Sequence, residues 1–265
     1  MPSNPSEATM GAGSIVAIDR TRHRRVRIRP DPGFAHAAQS HLSPLVLEEF
    51  APATADYPIV AVKDSDDGSF RAAALFGFAV GENYYRTPAA WQATYVPLNI
   101  RRYPFVVGIG NDGEGNGEGE GPLLCIDEAS ALVGDGAEGD ALFDESGSES
   151  QTLTAARQMM ARLWTGHRQT AAFLNMLLAQ RLLAPLDIDL GFRDGSSRTV
   201  SGLYGIDEEN LRGLDNAALH TLARNDWLLP LYAMLISRHQ FNRLAQLHNA
   251  GAANAITRVH LSTRT

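Results

Sequence analysis

Cysteine and lysine are almost absent from this 265-residue chain: Cys125 is the single cysteine, and of 23 basic residues only Lys63 is a lysine. One thiol forms neither an internal disulfide nor a cysteine-rich zinc site, so a reducing compartment is the simplest setting. Its neighbours Leu123, Leu124 and Ile126 make a buried, unreactive thiol the expected reading. No apolar run approaches the roughly eighteen residues that a membrane-spanning helix needs. The first residues are small and polar and then turn basic, without the apolar stretch and cleavage site of a secretory signal. Together these absences predict a cytoplasmic chain with no direct membrane insertion.

Motifs of catalysis and cofactor binding are missing as well. There is no GxSxG elbow, no HExxH pair and no GxxxxGK[ST] phosphate loop. The eight histidines are scattered, and His36 and His41, five apart in a loop-like stretch, read as structural or solvent-exposed; no metal and no cofactor is expected. In the Gly/Glu-rich stretch at residues 110–121, Asp112, Glu114, Asn116 and Gly117 imitate the first half of a calcium loop. Leu123 stands where the closing carboxylate belongs, so a solvated acidic hairpin loop is predicted instead. Arg212, Arg224, Arg238 and Arg243 are spread too thinly along a helical stretch to grip a phosphate backbone together, which argues against nucleic acid as a partner.

What is present is an ordinary core composition, 44% apolar and 20% charged, enough for one hydrophobic core near its upper size limit. The net charge of −7 hides a division. Residues 103–156 contain no Lys or Arg but twelve acids, from Asp112 to Glu149, so the remainder carries +5 (−7 minus −12). An acidic middle neutralised by the chain's own arginines is the expected arrangement.

Residues 1–13 read as a disordered N-terminus, 14–249 as a single domain, and 250–265 as a tail. Within the domain a β-rich lobe (14–150) precedes a helix-rich one (151–249). Val26 and Ile28 alternate with Arg25, Arg27 and Arg29, the period of an edge strand. Short apolar runs at 44–47, 57–62, 72–78, 95–97, 103–109 and 123–128 read as further strands, with one or two helical turns at 48–55. After Gln151 the apolar spacing turns helical through Leu153, Met160, Leu163, Phe173, Leu174 and Leu177, as two helices or one interrupted near Gly166. A hairpin over 186–206 turns at residues 193–197, and Asp207 caps a helical closing section. Sheet first and helices later predicts an α+β fold, a mainly antiparallel twisted sheet from the N-terminal half packed with a helix-rich C-terminal half.

One constellation stands out in residues 91–105. Arg101 and Arg102 are adjacent, with Trp91, Tyr95 and Tyr103 around them. Paired guanidiniums beside aromatic faces bind a carboxylate or phosphate and stack on a planar group. The alternative is equally physical: either arginine neutralises Asp127, Glu48 or Glu49 of its own chain.

The same segment resembles the signature of the SapC family of bacterial proteins. The blocks that carry the resemblance are Asp19 to His23, Pro44-Leu-Val with Glu49-Phe50, Tyr57-Pro58 with Lys63-Asp64, Ala74 to Gly77, Trp91 with Tyr95-Val96-Pro97, Ile100 to Phe105, Cys125 to Glu128, Leu142-Phe143 and Gly202 to Glu208. The resemblance implies a link to a surface-layer, secretion or outer-membrane-uptake pathway, and the absence of a complete catalytic set makes an accessory or ligand-binding protein the expected role. An anionic small molecule or peptide is its expected ligand, beside a protein partner. The rival is an enzyme acting on an amino acid or peptide alongside halogenase-like or cupin-type hydroxylase enzymes. In it His23 or Glu49 serves as general base and the arginines as a carboxylate clamp.

Overall fold

The computed structural model describes residues 14–110 and 121–263; the disorder expected at 1–13 and the acidic loop expected between 110 and 121 fall on residues outside that description. The early strands are β1 Ile15–Ala17, β2 Arg27–Ile28, β3 Leu42–Pro44, β4 Ile59–Lys63, β5 Phe70–Leu75 and β6 Phe105–Gly110. They are followed by β7 Gly121–Asp127, β8 Val133–Gly134, β9 Asp140–Ala141, β10 Leu183–Phe192, β11 Ser197–Ile206 and β12 Ile256–Thr263. The helices are α1 Phe50–Ala53, α2 Leu98–Arg101, α3 Gln151–Ala179, α4 Glu208–Arg212, α5 Asn216–Arg224, α6 Leu228–Ser237 and α7 Gln240–Gly251. The fold is α+β with antiparallel sheets. No helix among the described residues is long and apolar enough to cross a membrane.

Two compact units divide the chain, Met1–His36 with Leu98–Thr165 and Ala37–Pro97 with Gly166–Thr265. Each draws on two separate stretches of sequence, so the division does not follow a β-rich lobe ending at residue 150.

In the first unit β1, β7 and β6 form one antiparallel sheet, and β8, β2 and β9 a smaller one. Gly108 of β6 lies so close to Cys125 that an added Cβ would sit 2.7 Å from Sγ, which is how the thiol fits on β7. Cys125 is buried, and burial pushes its pKa up, as expected of an unreactive thiol. β2 is central in its sheet, not an edge strand, because β8 and β9 flank it on both sides. The arginines around it meet the acidic middle: Arg22 pairs with Glu128, Arg24 donates to the Glu145 carbonyl (3.2 Å), and Arg27 to that of Gly139 (2.8 Å).

The second unit is built on a six-stranded antiparallel sheet in the order β12-β10-β11-β4-β5-β3. Half of those strands come from beyond residue 180, so the sheet is not confined to the N-terminal half. β10 alternates as a one-sided strand should, burying Ala184, Leu186, Ile188 and Leu190. Each of its large aliphatic side chains contributes roughly 1.5–3 kcal/mol by leaving water. The hairpin to β11 turns where expected, and the Asp207 carboxylate accepts from the Asn210 N–H (3.0 Å) to open α4. α3 runs unbroken through Gly166, and the glycine is there because a side chain would collide with Val46, 2.6 Å from an added Cβ. The expected tail instead continues α7 to Gly251 and then forms β12. Asn249 starts that strand, accepting from the Ile256 N–H (2.7 Å) and donating to its carbonyl (2.9 Å).

Candidate functional site

The block from Ile100 to Phe105 makes a tight corner in the first unit. α2 buries Leu98 and Ile100, the Arg102 N–H donates to the Leu98 carbonyl (2.9 Å), the Tyr103–Pro104 bond is cis, and β6 begins at the buried Phe105. With Leu98 and Ile100 turned into the core, Arg101, Arg102, Tyr103 and Phe105 line a hollow of about 620 Å³. That volume suits a small organic molecule. Ile28, Phe34, Leu132 and Met159 supply apolar wall, and Arg29, Asp31 and His36 complete the polar lining.

The electrostatics of the hollow are one-sided. Arg101 is exposed and makes no hydrogen bond or ion pair among the described residues. Among the described residues Arg102 donates only to neutral acceptors, the Asn99 Oδ1 (3.1 Å) and the Phe105 carbonyl (2.8 Å). Burial pushes its pKa down from the ordinary arginine range, although a guanidinium keeps its proton. Arg29 donates to the Ala131 carbonyl. Against these three cations stands one lining carboxylate, Asp31, whose Oδ2 is taken by the Ala35 N–H (2.6 Å). Asp127, weighed from sequence as a counter-ion, instead accepts from the Ala129 N–H (3.1 Å) and from the Tyr103 hydroxyl (3.4 Å).

That last bond aims the Tyr103 ring, which stacks on His36 with centroids 4.3 Å apart, and Phe34 meets His36 edge-on at 6.2 Å. Crowding by protein atoms pushes the His36 pKa down, Arg102 adds to the shift, and Asp31 and the Ile100 backbone oppose it. Water at the open face of the ring offsets part of this, so the direction is toward a neutral imidazole. Phe34 has a left-handed backbone, φ 47°, in a position where a bulky side chain costs about 1–3 kcal/mol. Asp31 holds it there, accepting the Phe34 N–H at its carbonyl (3.2 Å) and the Ala35 N–H at its carboxylate. Sequence reading missed Arg29, Phe34 and His36; the adjacent Asp-Pro-Gly at 31–33 signals a turn but not what the turn presents.

The other predicted residues are placed elsewhere. Trp91, Tyr95 and Glu49 come together in the second unit. The Trp91 indole N–H donates to the Tyr57 hydroxyl (2.7 Å), which donates to the Tyr95 carbonyl. The Tyr95 hydroxyl donates to Glu49 Oε1 (2.9 Å), and Oε2 of that fully buried carboxylate accepts from the Val46 N–H (2.9 Å). Asp56 fastens the same loop, accepting from the N–H groups of Thr94 (2.8 Å) and Tyr95 (3.0 Å) and pairing with Arg243 (3.4 Å). His23 belongs to the first unit but does not line the hollow. Its ring is wholly buried in a turn, where the Asp19 N–H donates to Nδ1 (2.9 Å) and Nε2 donates to Glu128 (3.1 Å). Arg22 grips the same carboxylate at 2.7 and 2.5 Å, and this pairing, more than His23, holds the Glu128 pKa below the usual range. No cluster of three or more metal-ligating side chains occurs among the described residues.

The sequence model of SapC matches residues 18–244, most of both units. The chain belongs to the SapC family. Neither the curated proteins nor the solved structures provide a significant match, so the assignment rests on the family alone. Several blocks of this SapC chain now have structural explanations. Asp19 to His23 is the self-capped turn over Glu128, and Tyr57, Trp91, Tyr95 and Glu49 form one hydrogen-bonded cluster. Ile100 to Phe105 is the corner that exposes Arg101 and Arg102 to the hollow.

Proposed function

We propose that this SapC-family protein is a non-catalytic ligand-binding accessory, and that the hollow of its first unit holds an anionic small molecule or the acidic end of a peptide. Arg101 and Arg102 receive the anion, and Tyr103 and His36 pack beside it. Cytoplasmic residence and a link to a surface-layer, secretion or outer-membrane-uptake pathway complete the reading. The observation that carries it is the adjacency of two guanidiniums, lining a roughly 620 Å³ hollow, with no carboxylate paired to either among the described residues. Two cations held side by side without counter-charge raise the local affinity for an anion.

Arg101→Ala is the cleanest variant, since Arg101 holds nothing in place. Its thermal midpoint should match wild type, within about 0.5 kcal/mol of stability. Titration calorimetry with simple organic anions and inorganic phosphate should show affinity lowered about tenfold by the substitution. Equal affinities for variant and wild type, or binding to neither, overturns the reading.

A further inference from the structure

We infer that the hollow takes an amphipathic carboxylate, an acid whose charged group meets Arg101 and Arg102 and whose apolar acyl or aryl body fills the remaining space. The inference rests on the anion site proposed above and adds the class of ligand. The cations occupy only part of the lining. Beyond them lie Ile28, Phe34, Phe105, Leu132 and Met159, a surface that gains only by covering itself with apolar atoms. α3 contributes Thr152, Ala155, Ala156 and Met159, spaced i, i+3, i+4 and i+7 on one face, and the two alanines leave room that longer side chains would fill. A carboxylate displaces the volume of a few water molecules, about 30 Å³ each, against about 620 Å³ available, so most of the hollow is for something other than the charge. The strained backbone of Phe34 is independent support. Left-handed non-glycine residues persist where their surroundings over-determine them and cluster at ligand clamps, and Phe34, so held by Asp31, lines this hollow.

The test is calorimetry on the full chain with acetate, butyrate, hexanoate, octanoate, 2-naphthoate and inorganic phosphate. Affinity should rise about tenfold for each added pair of methylenes while the body is being buried. Arg101→Ala should weaken every carboxylate by a similar factor. Phe34→Gly, which removes the ring and relieves the backbone, should weaken octanoate and 2-naphthoate but leave acetate unchanged. Met159→Trp, which fills the hollow from the helix side, should do the same and serves if the glycine variant fails to fold. The tighter of octanoate and 2-naphthoate assigns the body as acyl or aryl. Acetate and phosphate binding as tightly as octanoate, still dependent on Arg101, overturns the amphipathic ligand and spares the anion site. Octanoate binding that ignores Arg101 overturns both.

Discussion

The aromatic cluster of the second unit and the hollow of the first both set aromatic rings beside charged groups, yet they differ in how far their polar groups are matched. In the cluster, Tyr57, Trp91, Tyr95, Glu49 and Asp56 spend their hydrogen-bonding groups on one another and on the local backbone. In the hollow, among the described residues, Arg101 makes no such bond and Arg102 reaches only neutral acceptors. Residue type alone would nominate both regions as binding sites. Satisfaction separates them: a matched buried network stabilises and specifies the fold, whereas cations left unmatched beside open space are available to a guest.

The sharpest way to break this contrast is Asp56→Ala. It strips two backbone N–H groups and Arg243 of their buried acceptor, and should cost about 3 kcal/mol, lowering the thermal midpoint on the order of 10 °C. A shift like that of Arg101→Ala would show that the cluster is not the more tightly determined region. Tyr57→Phe should cost less, about 1–2 kcal/mol in chemical denaturation, by leaving the Trp91 indole N–H without its acceptor. A neutral result there would mean that water replaces the hydroxyl.

The smallest effect belongs to the hollow and is a matter of pH. His36 has its folded pKa depressed below the unfolded value near 6.5. Its contribution is therefore fully present above about pH 6.5 and is lost as acid protonates the unfolded chain first, down to a folded pKa of about 4. Solvent at the open face keeps the loss small. Comparing midpoints of wild type and His36→Phe from pH 7 to 4.5 should show the variant falling less; parallel curves would remove His36 from the account.

Local chemistry was readable from the sequence where neighbours along the chain decide the outcome. The hairpin turn at 193–197, the Asp207 cap, the helical spacing from Leu153 to Leu177 and the adjacency of Arg101, Arg102 and Tyr103 are all of this kind. Distant pairings were not readable. Glu128 meets Arg22 and His23 from more than a hundred residues away, β8 and β9 are two residues each, too short for any period to register, and the alternation around β2 could not show that both of its edges are paired. Gly166 looked like a helix break because glycine usually is one, but Val46, far away in sequence, is the reason for it. For the site, the paired arginines and Tyr103 were visible, whereas Phe34 and His36 gain their roles only through a turn and a stack that bring them to Tyr103.

The interleaving of the two units bears on how the protein is made. A ribosome that has reached Pro97 has delivered all of neither unit, since the first still lacks Leu98–Thr165 and the second Gly166–Thr265. At about 5–20 residues per second, the opening segment waits on the order of ten seconds for Thr165 to emerge. During that interval the Arg-rich stretch at 20–29 is without the acidic residues it will later meet, and a truncated nascent chain would present those cations to whatever anion is at hand.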